Sequence, residues 1–86
     1  MKIVFKKSFT KQYAKLNESK RLSVDETIRV FARDPRAPHL KNHLLKGKLT
    51  GKRAISAGFD LRIVFKVDGD YVLVEMLAVG SHNQVY

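Results

Sequence analysis

Apolar positions along this chain change spacing three times, and each change marks a different kind of element. Residues 1–6 alternate and are rich in β-branched side chains, which predicts a short strand. Phe9, Tyr13 and Leu16 then recur at i, i+4 and i+7. That is the apolar stripe of a helix, which Ser8 is placed to cap, with Lys11, Lys15 and Lys20 on its other faces. The pattern breaks over 17–22. Ser23-Val24-Asp25-Glu26 has the form of a capping box, and Val24, Thr27, Ile28 and Phe31 continue from it as the buried stripe of a second helix. Asp34-Pro35 ends that helix, because the residue before proline disfavours helical backbone and proline has no N–H to donate.

The second half has a different rhythm. Residues 36–49 form a basic connection containing Pro38 and Gly47. A short strand is predicted over 52–57, punctuated by Gly58. Over 60–67, Leu61, Ile63, Phe65 and Val67 alternate with Arg62, Val64 and Lys66, as a strand with one buried face requires. Asp68-Gly69-Asp70 is a tight-turn signal. Residues 71–79 are nearly all apolar, which predicts a central strand buried on both faces. Gly80 is expected to end it and free the remaining residues to turn away. The order strand, helix, helix, strand, strand, strand predicts an α+β fold, with two helices packed on one face of a mainly antiparallel sheet. Arg62 and Lys66 then belong to the face away from the helices.

Length and composition bound what such a fold can be. Eighty-six residues make a single domain, 1–86, and a hydrophobic content of 44% is ordinary for a globular chain. The absence of cysteine removes disulfides and thiolate metal sites. No apolar run approaches the roughly 20 residues needed to span a bilayer. The apolar stretch at the N-terminus is too short for a signal peptide, so a cytoplasmic protein is expected. Charge changes the picture more. Seventeen Lys and Arg against eight Asp and Glu give a formal net charge of +9, which favours nucleic acid, an acidic protein or an anionic membrane as partner. The excess is one-sided: residues 35–59 include Arg36, Lys41, Lys46, Lys48, Lys52 and Arg53 but no acid. This points to a phosphate-binding strip, since neutralising backbone phosphates is the main source of nucleic-acid affinity. A membrane partner is not expected, because the segment lacks the sustained apolar helical face of an interfacial anchor.

Three segments carry a resemblance. Leu45-Lys46-Gly47-Lys48-Leu49-Thr50-Gly51-Lys52-Arg53 is similar to an L-x-G-x-x-x-G-x-R motif. Asp60-Leu61-Arg62-Ile63-Val64-Phe65 follows, and Gly80-Ser81-His82-Asn83-Gln84-Val85-Tyr86 is similar to a terminal G-[ST]-H-x-x-[LV]-[FY]. At this spacing, over essentially the whole chain, they resemble the RelE/ParE superfamily of bacterial toxins, and most closely its YafQ-like branch. The resemblance implies a RelE-like fold and a toxin of a type II toxin–antitoxin system. It implies a ribosome-dependent endoribonuclease, an mRNA interferase that cuts mRNA in the ribosomal A site and is neutralised by a cognate antitoxin. It further implies that His82, His43 and Asp60 take the family's catalytic positions and Tyr86 that of its terminal aromatic. Two positions depart from the branch: Ser56 stands where another His is common, and Leu61 where Trp is common. His82 then carries more of the catalytic burden than in a fuller member.

The chemistry sets its own requirements. Cutting RNA by internal transfer needs a base for the 2′-hydroxyl proton, an acid for the departing 5′-oxygen, and cations for the charge that builds on phosphate. It needs no metal or cofactor when the 2′-hydroxyl is the nucleophile. Histidine suits either proton role, and a carboxylate such as Asp60 can orient it. Arg53 and Arg62, on neighbouring predicted strands, are expected to project near one another and offer planar forks to phosphate. Lys46, Lys48 and Lys52 add attraction that salt screens. Tyr86 can stack on a base or hydrogen-bond near the scissile phosphate; alternatively it docks on the sheet and pins the tail. His39 reads as surface, and the three histidines lack metal-ligand spacing. Two other functions stay open. One is a same-fold protein that poisons a protein target such as a topoisomerase, as the ParE branch does. The other is a non-catalytic RNA- or partner-binding module.

Overall fold

A computed structural model describes all 86 residues. In chain order it contains β1 (Lys2–Phe5), α1 (Lys7–Ala14), α2 (Glu18–Arg33), β2 (His43–Leu44), β3 (Arg53–Ser56), β4 (Leu61–Asp68), β5 (Leu73–Ser81) and α3 (His82–Val85). Short 3₁₀ turns at Pro38–Leu40 and Gly47–Leu49 flank β2. The five strands form one sheet in the order β1-β5-β4-β3-β2, with β1 parallel to β5 and every other pair antiparallel. The predicted α+β order therefore holds, with β2 and α3 added.

The core follows from strand alternation. Leu61, Ile63, Phe65 and Val67 of β4 share one face with Ile55 of β3, and Phe9, Val24 and Phe31 of the helices cover them. Phe31 meets Phe65 edge-on at 4.9 Å between ring centroids. The other face carries apolar side chains as well. Leu45, Ala54 and Val64 form a second small cluster there, with Leu49, Ala78 and Val85 packed against it. Arg62 and Lys66 share that face with it.

Both predicted helix starts are displaced, for one physical reason. α1 begins at Lys7, with Lys6 rather than Ser8 in the extended capping position. α2 begins at Glu18, where the Asn17 side chain accepts from Lys20 N–H at 2.9 Å, so Ser23 lies inside the helix. The two serines read as caps instead tie helix to sheet: the Ser8 hydroxyl donates to Leu77 C=O and the Ser23 hydroxyl to Ala57 C=O. A serine whose hydroxyl finds a carbonyl of a facing strand has no need to cap its own helix. Gly58 completes the second tie. It has φ +78°, and a Cβ there would lie 2.7 Å from Ser23 Oγ.

β5 departs from the expected pattern in the middle. Val64 pairs with Ala78 but Phe65 with Met76, so Leu77 is an extra residue and the strand bulges. The bulge reverses which positions face the helices: Val74 and Met76 before it, Val79 after it. β1 accompanies β5 only as far as Met76. Beyond that point α1 takes over, with Ser8 serving Leu77 C=O and Gln12 Oε1 accepting from Val79 N–H at 2.9 Å. Buried backbone groups at a strand edge need such partners. Gly80 does not end the strand; it lies within β5, paired with Arg62. The turn between β4 and β5 is also longer than predicted, occupying residues 69–72.

Candidate functional site

The last residues form a compact turn against the sheet rather than a free tail. Ser81 N–H donates to Gln84 Oε1 at 2.8 Å, the backward arm of a capping box, and one turn of helix follows. A Cβ at Gly80 would lie 2.8 Å from Gln84 Oε1 and 3.3 Å from Val85 Cγ1. Glycine is therefore what lets α3 lie this close to β5. Within α3, His82 and the following Tyr86 are one turn apart, with ring centroids 4.5 Å apart and planes at 75°. Tyr86 N–H donates to His82 C=O at 3.1 Å. Partial burial pushes the Tyr86 phenol above the usual tyrosine range, against a smaller opposing pull from the Arg62 charge. Tyr86 is thus a neutral O–H donor at physiological pH, and it stays 42% exposed.

Register decides which predicted residues share this face. His43 pairs with Ala54, Ala54 with Val64, and Val64 with Ala78. Ser56 pairs with Arg62, and Arg62 with Gly80, beneath α3. Directly paired residues point to the same side of a sheet, so His43, Ser56 and Arg62 all lie on the face that α3 covers. His43 is exposed, and its Nδ1 lies 2.8 Å from Lys41 C=O. A carbonyl only accepts, so Nδ1 carries hydrogen and Nε2 of the neutral ring is left as a free acceptor. Lys46, Lys48 and Tyr86 line a shallow hollow of about 370 Å³ with Leu45 and Leu49. No acid pairs with Lys46, Lys48, Lys52, Arg53 or Arg62, since the ion pairs are Lys6–Glu75, Arg29–Glu26 and Arg36–Asp70.

Two expected members stand elsewhere. Arg53 pairs with Phe65, whereas Arg62 pairs with Ser56, so the two arginines occupy opposite faces of the sheet and form no common clamp. The reason is parity: positions 53 and 56 on one strand differ by an odd number of residues. Asp60 lines a cleft on the helix side with Lys15, Lys20 and Gln12, and no hydrogen bond joins it to either histidine. Of the two departures from the resembled branch, Leu61 is buried in the main core and Ser56 sits beside Arg62. The sequence does carry a signal for α3: in Ser81-His82-Asn83-Gln84, Ser is followed three residues later by Gln, a capping-box spacing. No three His, Asp or Glu side chains converge in a way that could hold a metal ion. No helix is long and apolar enough to cross a membrane.

No family model matches the chain, and no curated protein matches it by sequence. Solved structures do. The YoeB/ParE toxin from Agrobacterium tumefaciens is 25% identical, with 95% of this chain and 99% of that one covered at a TM-score of 0.77. YafQ from Escherichia coli is 17% identical, with 98% and 96% covered at 0.78. The toxin–antitoxin complex RelBE2 from Mycobacterium tuberculosis is 18% identical, with 94% and 96% covered at 0.77. The last two likenesses speak for the fold alone. Taken with the strand order and the α3-covered sheet face, the three likenesses show that this chain has the fold of the RelE/ParE-like toxins, YafQ among them.

Proposed function

We propose that the protein is the toxin of a type II toxin–antitoxin system, and that it cuts mRNA on the ribosome. The observation that carries this reading is the His82–Tyr86 pair, held by α3 over the sheet face that also bears Arg62 and His43. In the reaction the 2′-oxygen attacks phosphorus as it loses its proton. The bond to the 5′-oxygen breaks as that oxygen gains one, leaving a cyclic phosphate and a 5′-hydroxyl. His82 and the free Nε2 of His43 supply the two proton-transfer groups. Arg62, with Lys46 and Lys48, offsets the charge that builds on phosphate. The neutral Tyr86 phenol donates to a phosphate oxygen or stacks on the neighbouring base. Asp60, on the helix side, is given no proton to move.

The antitoxin follows from the same surface. An open basic face needs covering while the cell grows, and one solved neighbour is itself a toxin–antitoxin complex. The partner is proposed to be a small protein with an acidic segment that folds over this face. The test is mRNA cleavage on translating ribosomes by the wild type and by His82→Ala. Cleavage by the wild type with a loss of at least about a hundredfold in the variant supports the reading, since positioned proton transfer typically contributes that much. Equal cleavage by both removes His82 from the mechanism. Intact mRNA with both selects a non-catalytic RNA- or partner-binding module. That second reading draws on the absence of any hydrogen bond among His82, His43 and Asp60, and on Ser56 standing in a common histidine position.

A further inference from the structure

Arg53, displaced from the α3 face, belongs to a second basic site. It lies on the helix side of the sheet, at the end where β4 turns into β5. There Arg36, Lys41, Asn42, Arg53 and Tyr71 line an open cavity of about 560 Å³ whose lining contains no acid. We propose that this cavity binds the phosphate backbone of RNA, as a contact separate from the cutting site on the opposite face. The proposal rests on the RNA-binding reading above, but not on the chain cutting RNA.

The first argument is preorganisation. Arg53 Nε donates to Asn42 Oδ1 at 2.8 Å, and its two terminal nitrogens make no bond within the chain. Asn42 is itself fixed, donating from Nδ2 to Pro35 C=O and to the Tyr71 hydroxyl, each at 2.9 Å. An arginine held through Nε presents the rest of its planar fork, and that geometry matches a phosphate's oxygens. Arg36 is also held, 4.9 Å over the Tyr71 ring and 3.0 Å from Asp70. Side chains ordered before binding lose less entropy on it.

The second argument is strain. Lys41 and Tyr71, with φ of 52° and 63°, are both in the left-handed region that bulky residues avoid, and both border this cavity. Such strain persists where surrounding contacts over-determine it, and it concentrates at ligand sites. The third argument is continuity. Basic residues of the acid-free segment 35–59 run from Arg36 and Lys41 here, past edge strand β2, to Lys46 and Lys48 beside Tyr86 on the other face. A chain of phosphates can follow that path around the sheet edge, and the cavity is large enough for a nucleotide.

The test uses a short 2′-O-methyl RNA, which cannot be cut, titrated into isotopically labelled protein. The Arg53 Nε–H and Asn42 side-chain amide signals should shift and saturate with the RNA. Arg53→Gln should weaken binding about tenfold and flatten the dependence on salt by about one phosphate contact. If RNA saturates the protein while those two wild-type signals stay still, the proposal is wrong, whatever any variant does. Unchanged affinity and salt dependence in a folded Arg53→Gln protein would also overturn it. Signals that answer to polyglutamate and not to RNA would overturn it in favour of an acidic protein segment. Failure of mRNA cleavage alongside a response at Arg53 sinks the cutting reaction and leaves this site standing.

Discussion

Gly80 and Tyr86 show how single residues make the site. The gap left by a missing Cβ at Gly80 is filled by Gln84 and Val85, so Gly80→Ala must displace the Gln84 carboxamide that caps α3 and crowd Gln84 Cβ and Val85. Overpacking of this kind costs about 1–3 kcal/mol. Here it should also separate His82 from Tyr86, seen as faster amide exchange over 82–86 and lower cleavage on ribosomes. Tyr86 gives a pH test. Its phenol is raised above the ordinary value of about 10, mainly by burial, so the neutral form is favoured in the folded chain. Its contribution is complete below the ordinary phenol pKa and is lost as pH rises through the higher folded value. Tyr13 is raised as well, chiefly by its hydrogen bond to Asp25 and then by burial and the Asp25 charge. Alkaline titration of phenolate absorbance should therefore show late-ionising tyrosines. Tyr86→Phe should remove one such step and leave that of Tyr13.

At the scale of elements, α1 acts as an extension of β1. Where β1 stops, Ser8 and Gln12, one turn apart on α1, serve the backbone of β5. Gln12→Ala leaves Val79 N–H without its acceptor beside a fully packed core. The expected loss is about 1–3 kcal/mol, the usual cost of stranding a buried donor, measured by urea unfolding. A variant as stable as the wild type would mean that water or a shifted side chain replaces Gln12. The same element carries the bulge at Leu77, which puts Val79 on the core side and Gly80 under α3.

For the whole molecule, the sheet is a wall between two basic surfaces. α3, Arg62, Lys46 and Lys48 lie on one side, and Arg36, Lys41 and Arg53 on the other. With a net charge of +9, and most cations lacking an acid partner, RNA affinity should fall steeply with salt. If about five of these cations each neutralise one phosphate of a single strand, log K against log salt should slope at about −3 to −4. A slope near zero in a binding titration at several salt concentrations would show that attraction to phosphate is not what brings RNA to this surface.

Local spacing was enough for the sequence to determine the α+β order, the β4 face, the main core from Phe9, Phe31, Ile63 and Phe65, and the concentration of charge in 35–59. Those properties repeat at a fixed period or are plain composition, and no distant partner is needed to read them. The terminal helix α3 was also within reach, through the Ser81 to Gln84 spacing. Only the tertiary structure could decide that Ser8 and Ser23 bind carbonyls of the sheet, because a hydroxyl chooses between its own helix and a strand many residues away. The bulge at Leu77 was hidden for a related reason: in a run that is nearly all apolar, a change of register leaves no trace in polarity. Pairing register placed His43 with Arg62 and sent Arg53 to the opposite side. A one-residue difference in register exchanges the faces of a strand, and long-range packing is what sets it.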